Sequence, residues 1–264
     1  MKKTIIQVWT HDCKNYKSTE YYARWGLGDI VRGSIGLYQL CKKYRYEFIC
    51  DIQLHPTSLC LEVTKHSYSD LVLKNKKNIN FVPPNQIEQY ITSTNNEGIT
   101  LLMTNAHLIH EITDECKDYF RNLFKPNFHF QQHIAEKQQC IPHPTFNVMH
   151  YRVAGISGDH ETFHKSKKNY QTLLEHIQKF KQNNDILITD SLELKTLAKE
   201  ILFTFDTKIA HLGFHTDYES VRDTLLEFFI MTHANKIKYH PANGPSGFIK
   251  IINYIFNVPL EKME

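Results

Sequence analysis

Short apolar runs and helically spaced apolar positions alternate through the first half of the chain. An apolar run over Lys3–Trp9 predicts a β-strand. The segment Trp25–Asp29 then contributes two glycines and precedes apolar residues at helical spacing over Ile30–Leu40, which indicates strand, turn and helix. The same patterns predict strands at Tyr46–Ile52, Ile79–Val82 and Ile99–Met103, a helix after His55-Pro56-Thr57, and an amphipathic helix at Ile112–Phe124.

The second half repeats this alternation more regularly. Its predicted strands are Phe146–Tyr151, Asp185–Thr189, Thr207–Leu212 and Lys236–Tyr239, and its predicted helices are Tyr170–Phe180, Leu192–Ile201, Glu219–His233 and Gly247–Ile255. Two prolines in Cys140–Pro144 favour an extended connection, which divides the chain into domains at 1–140 and 141–264. We therefore expect an α/β fold of two Rossmann-like domains facing across a cleft, with ligands at the carboxyl ends of parallel strands.

Composition and charge exclude several classes of protein. With 41% hydrophobic and 22% charged residues among 264, the chain has the make-up of a globular protein and not of a disordered one. The net charge of +3 is not gathered into one basic block, so we expect no nucleic-acid partner. No apolar run approaches the ~20 residues of a membrane span, and six scattered cysteines without a CxxC pair favour free thiols. We expect a cytoplasmic protein without a transmembrane segment.

The first candidate site is the glycine-containing turn before the first helix. Gly26 and Gly28 have no side chains, so a ligand is able to approach backbone N–H groups at the start of a helix. Asp29 is either a ligand-binding residue or the cap of a helix that starts at Ile30. The turn is not a dinucleotide fingerprint, because the third glycine of that motif would fall at Val31.

A second candidate site lies where the predicted strand Phe146–Tyr151 ends. Strand alternation places His150 and Arg152 on one side and Tyr151 on the other. An arginine at such a strand end suits phosphate oxygens, because its guanidinium presents a fork of donors. The alternative is that Arg152 pairs with a structural carboxylate and that His150 is a hydrogen-bonded edge histidine.

Two further strand-to-helix junctions carry small polar residues. Asp190 follows an apolar strand and is either the N-cap of the next helix or a binding residue. Ser246, Gly247 and Phe248 join a strand to the last predicted helix, where hydroxyl and N–H groups suit an anionic oxygen or simply cap the helix. Both junctions therefore leave capping and ligand binding open.

The sequence gives little support for a metal centre or a serine hydrolase. His129 and His133 are four residues apart, as are His211 and His215, but no HExxH, CxxC or third ligand accompanies them. The chain also has no D-x-D sequence, the usual cue for a metal-bridged nucleotide sugar, and no GxSxG elbow. We expect no metal and no cofactor.

Taken in order, these segments resemble the fucosyltransferase superfamily with the GT-B fold, which includes nodulation-type α-1,6-, α-1,2- and protein O-fucosyltransferases. The most specific part of the resemblance runs from Asp223–Phe229 to Ser246–Phe248. It implies a donor-binding set of Gly26, Gly28, His150, Arg152, Asp190, Glu227, Ser246, Gly247 and Phe248. Within that set it implies that His150 lies near guanine, Arg152 on the diphosphate, Asp190 on the nucleoside and Ser246 on the β-phosphate, and that Glu227 replaces a base-contacting aspartate.

The resemblance implies a metal-independent glycosyltransferase that moves a sugar from a GDP-sugar to a glycan or other hydroxyl acceptor, with GDP-fucose as the first candidate for the donor. Arg152 would meet the charge on the departing diphosphate, and Asp29, Asp159 and Glu161 are equal candidates for the base. Val153 and Gly155 depart from the family pattern, which has a second arginine and an acidic residue at these places. The alternatives are another nucleotide sugar, a heptosyltransferase-like enzyme, and a nucleotide-binding module that has lost catalysis.

Overall fold

The computed structural model describes residues 3–10, 26–93, 98–105, 111–153, 167–208, 212, 216–241 and 244–264. Contacts between Cα atoms divide the chain into two compact units, Met1–Asn127 and Phe128–Glu264. The sequence predicts a boundary after residue 140, whereas the helix Phe128–Gln139 belongs to the second unit, where the ring centroids of Phe130 and Phe229 lie 5.8 Å apart. None of the described helices is long and apolar enough to cross a membrane.

The first unit is built on a parallel four-stranded sheet with the order β2-β1-β4-β3. All five residues of the central strand β1 are buried, as expected for a parallel strand covered on both faces. The described elements of the unit are β1 Thr4–Val8, α1 Leu27–Lys43, β2 Glu47–Asp51, α2 Ser69–Lys74, β3 Asn80–Phe81, α3 Ile87–Ser93, β4 Ile99–Met103 and α4 Asp114–Leu123, with short 3₁₀ turns at Pro56–Leu59 and Lys76–Asn78.

Helix α1 packs closely against the sheet at one glycine. A Cβ on Gly33 would lie 2.4 Å from the Cα of Asn105 and 2.6 Å from the carbonyl oxygen of Thr104, so only glycine allows this approach. One residue further, Ser34 accepts a hydrogen bond from the indole N–H of Trp9 at 2.9 Å. These contacts fix the helix against the segments that follow β1 and β4.

The second unit has a parallel five-stranded sheet with the order β7-β6-β5-β8-β9. The adjacent central strands β5 and β6 are buried along their whole length. The described elements are α5 Phe128–Gln139, β5 Asn147–Tyr151, α6 Lys167–Phe180, β6 Asp185–Thr189, α7 Leu192–Ala198, β7 Phe203–Thr204, α8 Tyr218–Thr232, β8 Ile237–Tyr239, α9 Gly247–Phe256 and β9 Leu260–Lys262.

One predicted strand is wrong in the part that the structure describes. Thr207 and Lys208 begin the predicted strand Thr207–Leu212, but both lie outside any strand, and the pairing with β6 is made earlier by Phe203–Thr204. The reason is that side chains from other elements hold this segment. The backbone N–H of Lys208 donates to Asp223 at 2.9 Å, and the hydroxyl of Thr207 donates to Glu227 at 2.5 Å.

The strand order of each sheet marks one place where ligands are expected. In both units the chain first extends the sheet to one side of the central strand and then adds strands on the other side. Ligands of open α/β sheets bind at the carboxyl ends of the strands, at the point where this order reverses. That point lies between β1 and β4 in the first unit and between β5 and β8 in the second.

Candidate functional site

His150 is buried on β5, next to the reversal point of the second sheet. Its backbone lies opposite Tyr239 of β8, and only 8% of the residue is exposed. Burial, together with the nearby positive charge of Arg152, lowers the pKa of His150 to about 4. The imidazole is therefore neutral at pH 7, with one donor and one acceptor nitrogen to offer a polar ligand.

Tyr151 occupies the opposite face of β5 and anchors the strand. Its side chain is buried in the core cluster that includes Ile177 and Leu187, and its hydroxyl lies 2.7 Å from Nδ1 of His176 on α6. The ring of His176 lies 4.5 Å from that of His240, which follows β8. Burial lowers the pKa of His176, and the nearby His240 and Lys179 lower it further. These contacts hold both strands on either side of the reversal point.

Asp190 ties the ends of β5 and β6 together. Its Oδ1 accepts a hydrogen bond of 2.6 Å from the backbone N–H of Val153, the residue directly after Arg152. Asp190 is not the N-cap of α7, because Ser191 takes that role by accepting the N–H of Leu194 at 3.2 Å. The capping alternative for Asp190 is wrong, and the carboxylate instead fixes the backbone on which Arg152 sits.

Ser246 is the N-cap of α9. Its Oγ accepts the backbone N–H of Ile249 at 3.4 Å, and Gly244 takes a positive φ of 60° two residues before it. A hydroxyl that accepts one hydrogen bond still has its own hydrogen to donate, so capping and ligand binding are compatible. Gly247 begins the helix, and the ring of Phe248 lies 5.5 Å from that of Phe228, which assigns Phe248 a packing contact.

Glu227 belongs to a buried cluster that the sequence did not predict. Its Oε1 accepts from Nζ of Lys195 at 2.6 Å and from the hydroxyl of Thr207 at 2.5 Å, and Lys195 also donates to Thr207. Only 3% of the Lys195 side chain and 12% of the Glu227 side chain are exposed. Lys195 therefore compensates the charge of Glu227, and the cluster joins α7, α8 and the segment after β7.

Asp223 lies one turn before Glu227 on α8 and reinforces the same contact. Its Oδ2 accepts the backbone N–H of Lys208 at 2.9 Å, and its Oδ1 binds the guanidinium of Arg222 at 2.8 Å. The side chain of Asp223 is 7% exposed, and that of Arg222 is 30% exposed. Two carboxylates of one helix thus hold residues 207 and 208.

In the first unit the glycine turn starts α1 earlier than expected. The helix begins at Leu27 and its N-cap is Gly26, so the expectation that Asp29 caps a helix starting at Ile30 is wrong. Asp29 lies in the first turn, where it suits the helix dipole, and its Oδ1 pairs with Arg32 at 2.8 Å. Gly28 is buried within that turn. The other two candidate bases, Asp159 and Glu161, lie outside the described residues.

The described residues contain no group of three or more His, Cys, Asp or Glu side chains that could hold a metal ion. His129 and His133 both lie on α5, where they are one turn apart. Burial and the nearby Arg222 lower the pKa of His133. His211 and His215 lie outside the described residues.

No family model and no curated protein matches the sequence. Among solved structures, the α-1,6-fucosyltransferase NodZ soaked with GDP-fucose matches over 98% of this chain and 94% of that chain, with a TM-score of 0.59 and 12% identity. The selenomethionine structure of NodZ from Bradyrhizobium matches with a TM-score of 0.60. A mutant of Arabidopsis thaliana FUT1 in complex with GDP matches over 99% of this chain and 70% of that chain, at 9% identity and a TM-score of 0.57.

The chain shares the fold of these fucosyltransferases. The predicted fold class, α/β and GT-B-like, is confirmed, and the resemblance to fucosyltransferases holds at the level of the fold. The assigned roles of His150, Arg152, Asp190, Glu227 and Ser246 stay predictions. At the reversal point of the second sheet β5 brings together His150 and Arg152, and Asp190 is tied to the same strand end by its bond to Val153. Lys195 and Thr207 are the residues that sequence reasoning missed.

Proposed function

We propose that this protein is a glycosyltransferase that moves a sugar from a GDP-sugar to the hydroxyl group of a glycan. GDP-fucose is the first candidate for the donor. The observation that carries the proposal is the strand end at β5, where a neutral His150 precedes Arg152 and where Asp190 fixes the backbone that follows. Fucosyltransferases solved with GDP and with GDP-fucose share the fold over nearly the whole chain. The donor is a substrate, and the proposal includes no cofactor.

Breaking the bond between a sugar and a diphosphate leaves negative charge on the departing diphosphate. Fixed donors that meet this charge lower the barrier, because they act more strongly in the transition state than on the bound donor. We assign this role to the guanidinium fork of Arg152, supported by the hydroxyl of Ser246 and the first N–H groups of α9. These groups provide the positive potential without a metal ion.

Recognition of guanine follows from the carboxylates of the second unit. Guanine offers two adjacent donors, N1–H and the 2-amino group, which match the two oxygens of a carboxylate. In Glu227, Lys195 and Thr207 both donate to Oε1, so we assign Oε2 to the donors of guanine. Adenine lacks these donors and would leave Oε2 of Glu227 without a partner, which costs about 1–3 kcal/mol.

Thermal unfolding with GDP, UDP and ADP tests the nucleotide. We expect GDP to raise the melting temperature more than UDP or ADP. A ligand at 100 times its Kd stabilises the folded protein by about 2.7 kcal/mol. In the Arg152→Gln variant GDP should no longer raise the melting temperature. Without nucleotide this variant should melt at the same temperature as the wild type. Equal or better protection by UDP would contradict the assignment.

Release of GDP from GDP-fucose tests the reaction. We expect slow hydrolysis of the donor without acceptor, in buffer that contains EDTA. If EDTA abolished turnover and Mn²⁺ restored it, the metal-free mechanism would be wrong. Protection by GDP without any release of sugar from GDP-fucose or other GDP-sugars would instead identify a nucleotide-binding module.

A further inference from the structure

The carboxylate of Glu227 has one occupied oxygen and one open oxygen. Oε1 accepts hydrogen bonds from Nζ of Lys195 at 2.6 Å and from the hydroxyl of Thr207 at 2.5 Å. Within the described part of the chain no group donates to Oε2. Oε2 is also not one of the described buried atoms that lack a partner, so it reaches the solvent. The 12% of the Glu227 side chain that is exposed therefore includes the open oxygen.

The two donors fill both lone-pair positions of Oε1. Because Lys195 only donates, the hydroxyl of Thr207 accepts from its Nζ at 2.5 Å and keeps its own hydrogen for Oε1 of Glu227. The third hydrogen of Nζ goes to the backbone carbonyl oxygen of Thr207 at 3.4 Å. A carboxylate oxygen has two lone pairs, and both are taken on Oε1. Neither Lys195 nor Thr207 has a side-chain hydrogen left to donate, so Oε2 is the atom that this cluster offers to a ligand.

The cluster belongs to the edge at which ligands of the second sheet are expected. Strand β6 ends directly before Asp190, and Ser191 is the N-cap of α7. Lys195 lies four residues further, about one turn into this helix, and Thr207 follows β7. Ligands of open α/β sheets bind at the carboxyl ends of the strands. The open oxygen of Glu227 is therefore held by two segments that both start from this edge.

The number of open oxygens decides which bases fit. Guanine presents N1–H and the 2-amino group side by side, so a carboxylate with two open oxygens binds both with straight hydrogen bonds. A single oxygen makes its straight bond to N1–H and reaches the 2-amino group only at a bent angle, which weakens that bond. Hypoxanthine has the same N1–H and lacks only the 2-amino group. In adenine N1 carries a lone pair and no hydrogen, so it repels a carboxylate oxygen.

We propose that Oε2 of Glu227 reads N1–H of a 6-oxopurine, so that the protein binds inosine diphosphate (IDP) as well as it binds GDP and discriminates against ADP. This inference rests on the proposed function and widens its donor to the sugar diphosphates of either 6-oxopurine nucleoside. Lys195 and Thr207 are the specificity-determining residues, because they occupy the oxygen that would otherwise bind the 2-amino group of guanine.

Calorimetric titration of the full chain with GDP, IDP and ADP tests this selectivity without any substitution. We expect the Kd of IDP to lie within about threefold of that of GDP, because only a bent hydrogen bond is lost. The Kd of ADP should be at least about tenfold weaker, because the bond to a charged oxygen is lost outright. A carboxylate that bound both donors of guanine would instead hold GDP at least about tenfold more tightly than IDP.

Glu227→Gln tests the orientation of the side chain. Lys195 and Thr207 both donate, so they hold the amide oxygen of the glutamine in the place of Oε1 and turn its NH2 group to the ligand. This NH2 group opposes N1–H of guanine and hypoxanthine but matches the lone pair on N1 of adenine. We expect the Kd of GDP and IDP to rise at least about tenfold and that of ADP to stay unchanged or fall.

The matched control is Glu219→Gln, at an exposed glutamate of the same helix that pairs with Lys208. It should change none of the three Kd values. Should Glu227→Gln fold poorly because the charge of Lys195 loses its counterion, the double variant Lys195→Met and Glu227→Gln replaces it. Thr207 still donates to the amide oxygen in that variant, so the same reversal of selectivity is expected.

Three results would overturn the inference and leave the proposed function standing. These are a Kd for IDP more than about threefold weaker than that for GDP, a Kd for ADP equal to that for GDP, and a folded Glu227→Gln variant that still prefers GDP over ADP. If none of the three diphosphates bound to the wild type, the proposed function itself would be refuted. The two kinds of failure are therefore distinguishable in one set of titrations.

Discussion

Removing Lys195 should strongly lower the free energy of unfolding of the second unit, and acid should restore part of this loss. Lys195→Met keeps the length of the side chain but leaves the buried carboxylate of Glu227 with Thr207 as its remaining donor within the cluster. Breaking a buried ion pair in this way costs about 3–5 kcal/mol, because one charge stays buried without compensation. We expect urea unfolding at pH 7 to show this loss as a lower midpoint with an unchanged slope.

The loss of stability in Lys195→Met should depend on pH. An unpaired buried carboxylate favours its neutral form, so the folded variant takes up a proton that the unfolded chain releases. Its stability relative to the wild type should therefore rise as the pH falls from 7 to 5, by at most about 1.4 kcal/mol per pH unit. Adding Glu227→Gln should restore most of the loss at pH 7. Lys199→Met, which removes an exposed lysine just after the same helix, is the control and should change stability by less than about 1 kcal/mol. A loss below 1 kcal/mol for Lys195→Met, or a further loss in acid, would refute the reasoning.

Four further predictions test other residues. The pKa of His150 falls from 6.5 to about 4 on folding. The free energy of unfolding should therefore be highest above pH 6.5 and should fall by roughly 3 kcal/mol towards pH 4, because only the unfolded chain takes up a proton in this range. In urea titrations His150→Asn should remove this part of the pH dependence. Gly33→Ala should destabilise by about 1–3 kcal/mol in urea, whereas Gly98→Ala, where a Cβ meets nothing within 4 Å, should be neutral; equal effects would contradict the packing argument. Arg152→Lys should keep GDP protection in part but severely reduce turnover, because the bidentate fork is lost, and wild-type turnover would remove Arg152 from the mechanism. Asp29→Asn should lower turnover much more than GDP binding, and unchanged turnover would leave Asp29 only its ion pair with Arg32.

The strands that the sequence predicted best are the buried ones. Asn147–Tyr151 and Asp185–Thr189 are dominated by apolar residues that face a core on both sides, so composition alone identifies them. The helix Phe128–Gln139 was missed, because its buried residues are only Phe130 and Ile134 among many polar ones. Its place is set by packing against α8, which no local pattern records.

The cluster around Glu227 lay beyond sequence reasoning for a related reason. Lys195 is 32 residues away from Glu227 along the chain, and nothing local distinguishes it from a surface lysine except buried neighbours such as Leu194. The same cluster explains the misplaced strand, because the β-favouring residue Thr207 uses its hydroxyl for Glu227 and does not continue the sheet. Distant partners decided the structure of this segment.

The bond between Asp190 and Val153 has a consequence for which substitutions the site tolerates. The carboxylate binds the main-chain N–H of residue 153, and this group is the same in every amino acid except proline. A mutational scan should therefore find position 153 permissive among apolar residues of similar size and closed to proline, and position 190 restricted to aspartate and asparagine, whose Oδ1 accepts this bond. Different side chains at residue 153 are thus compatible with one and the same position of the Arg152 backbone.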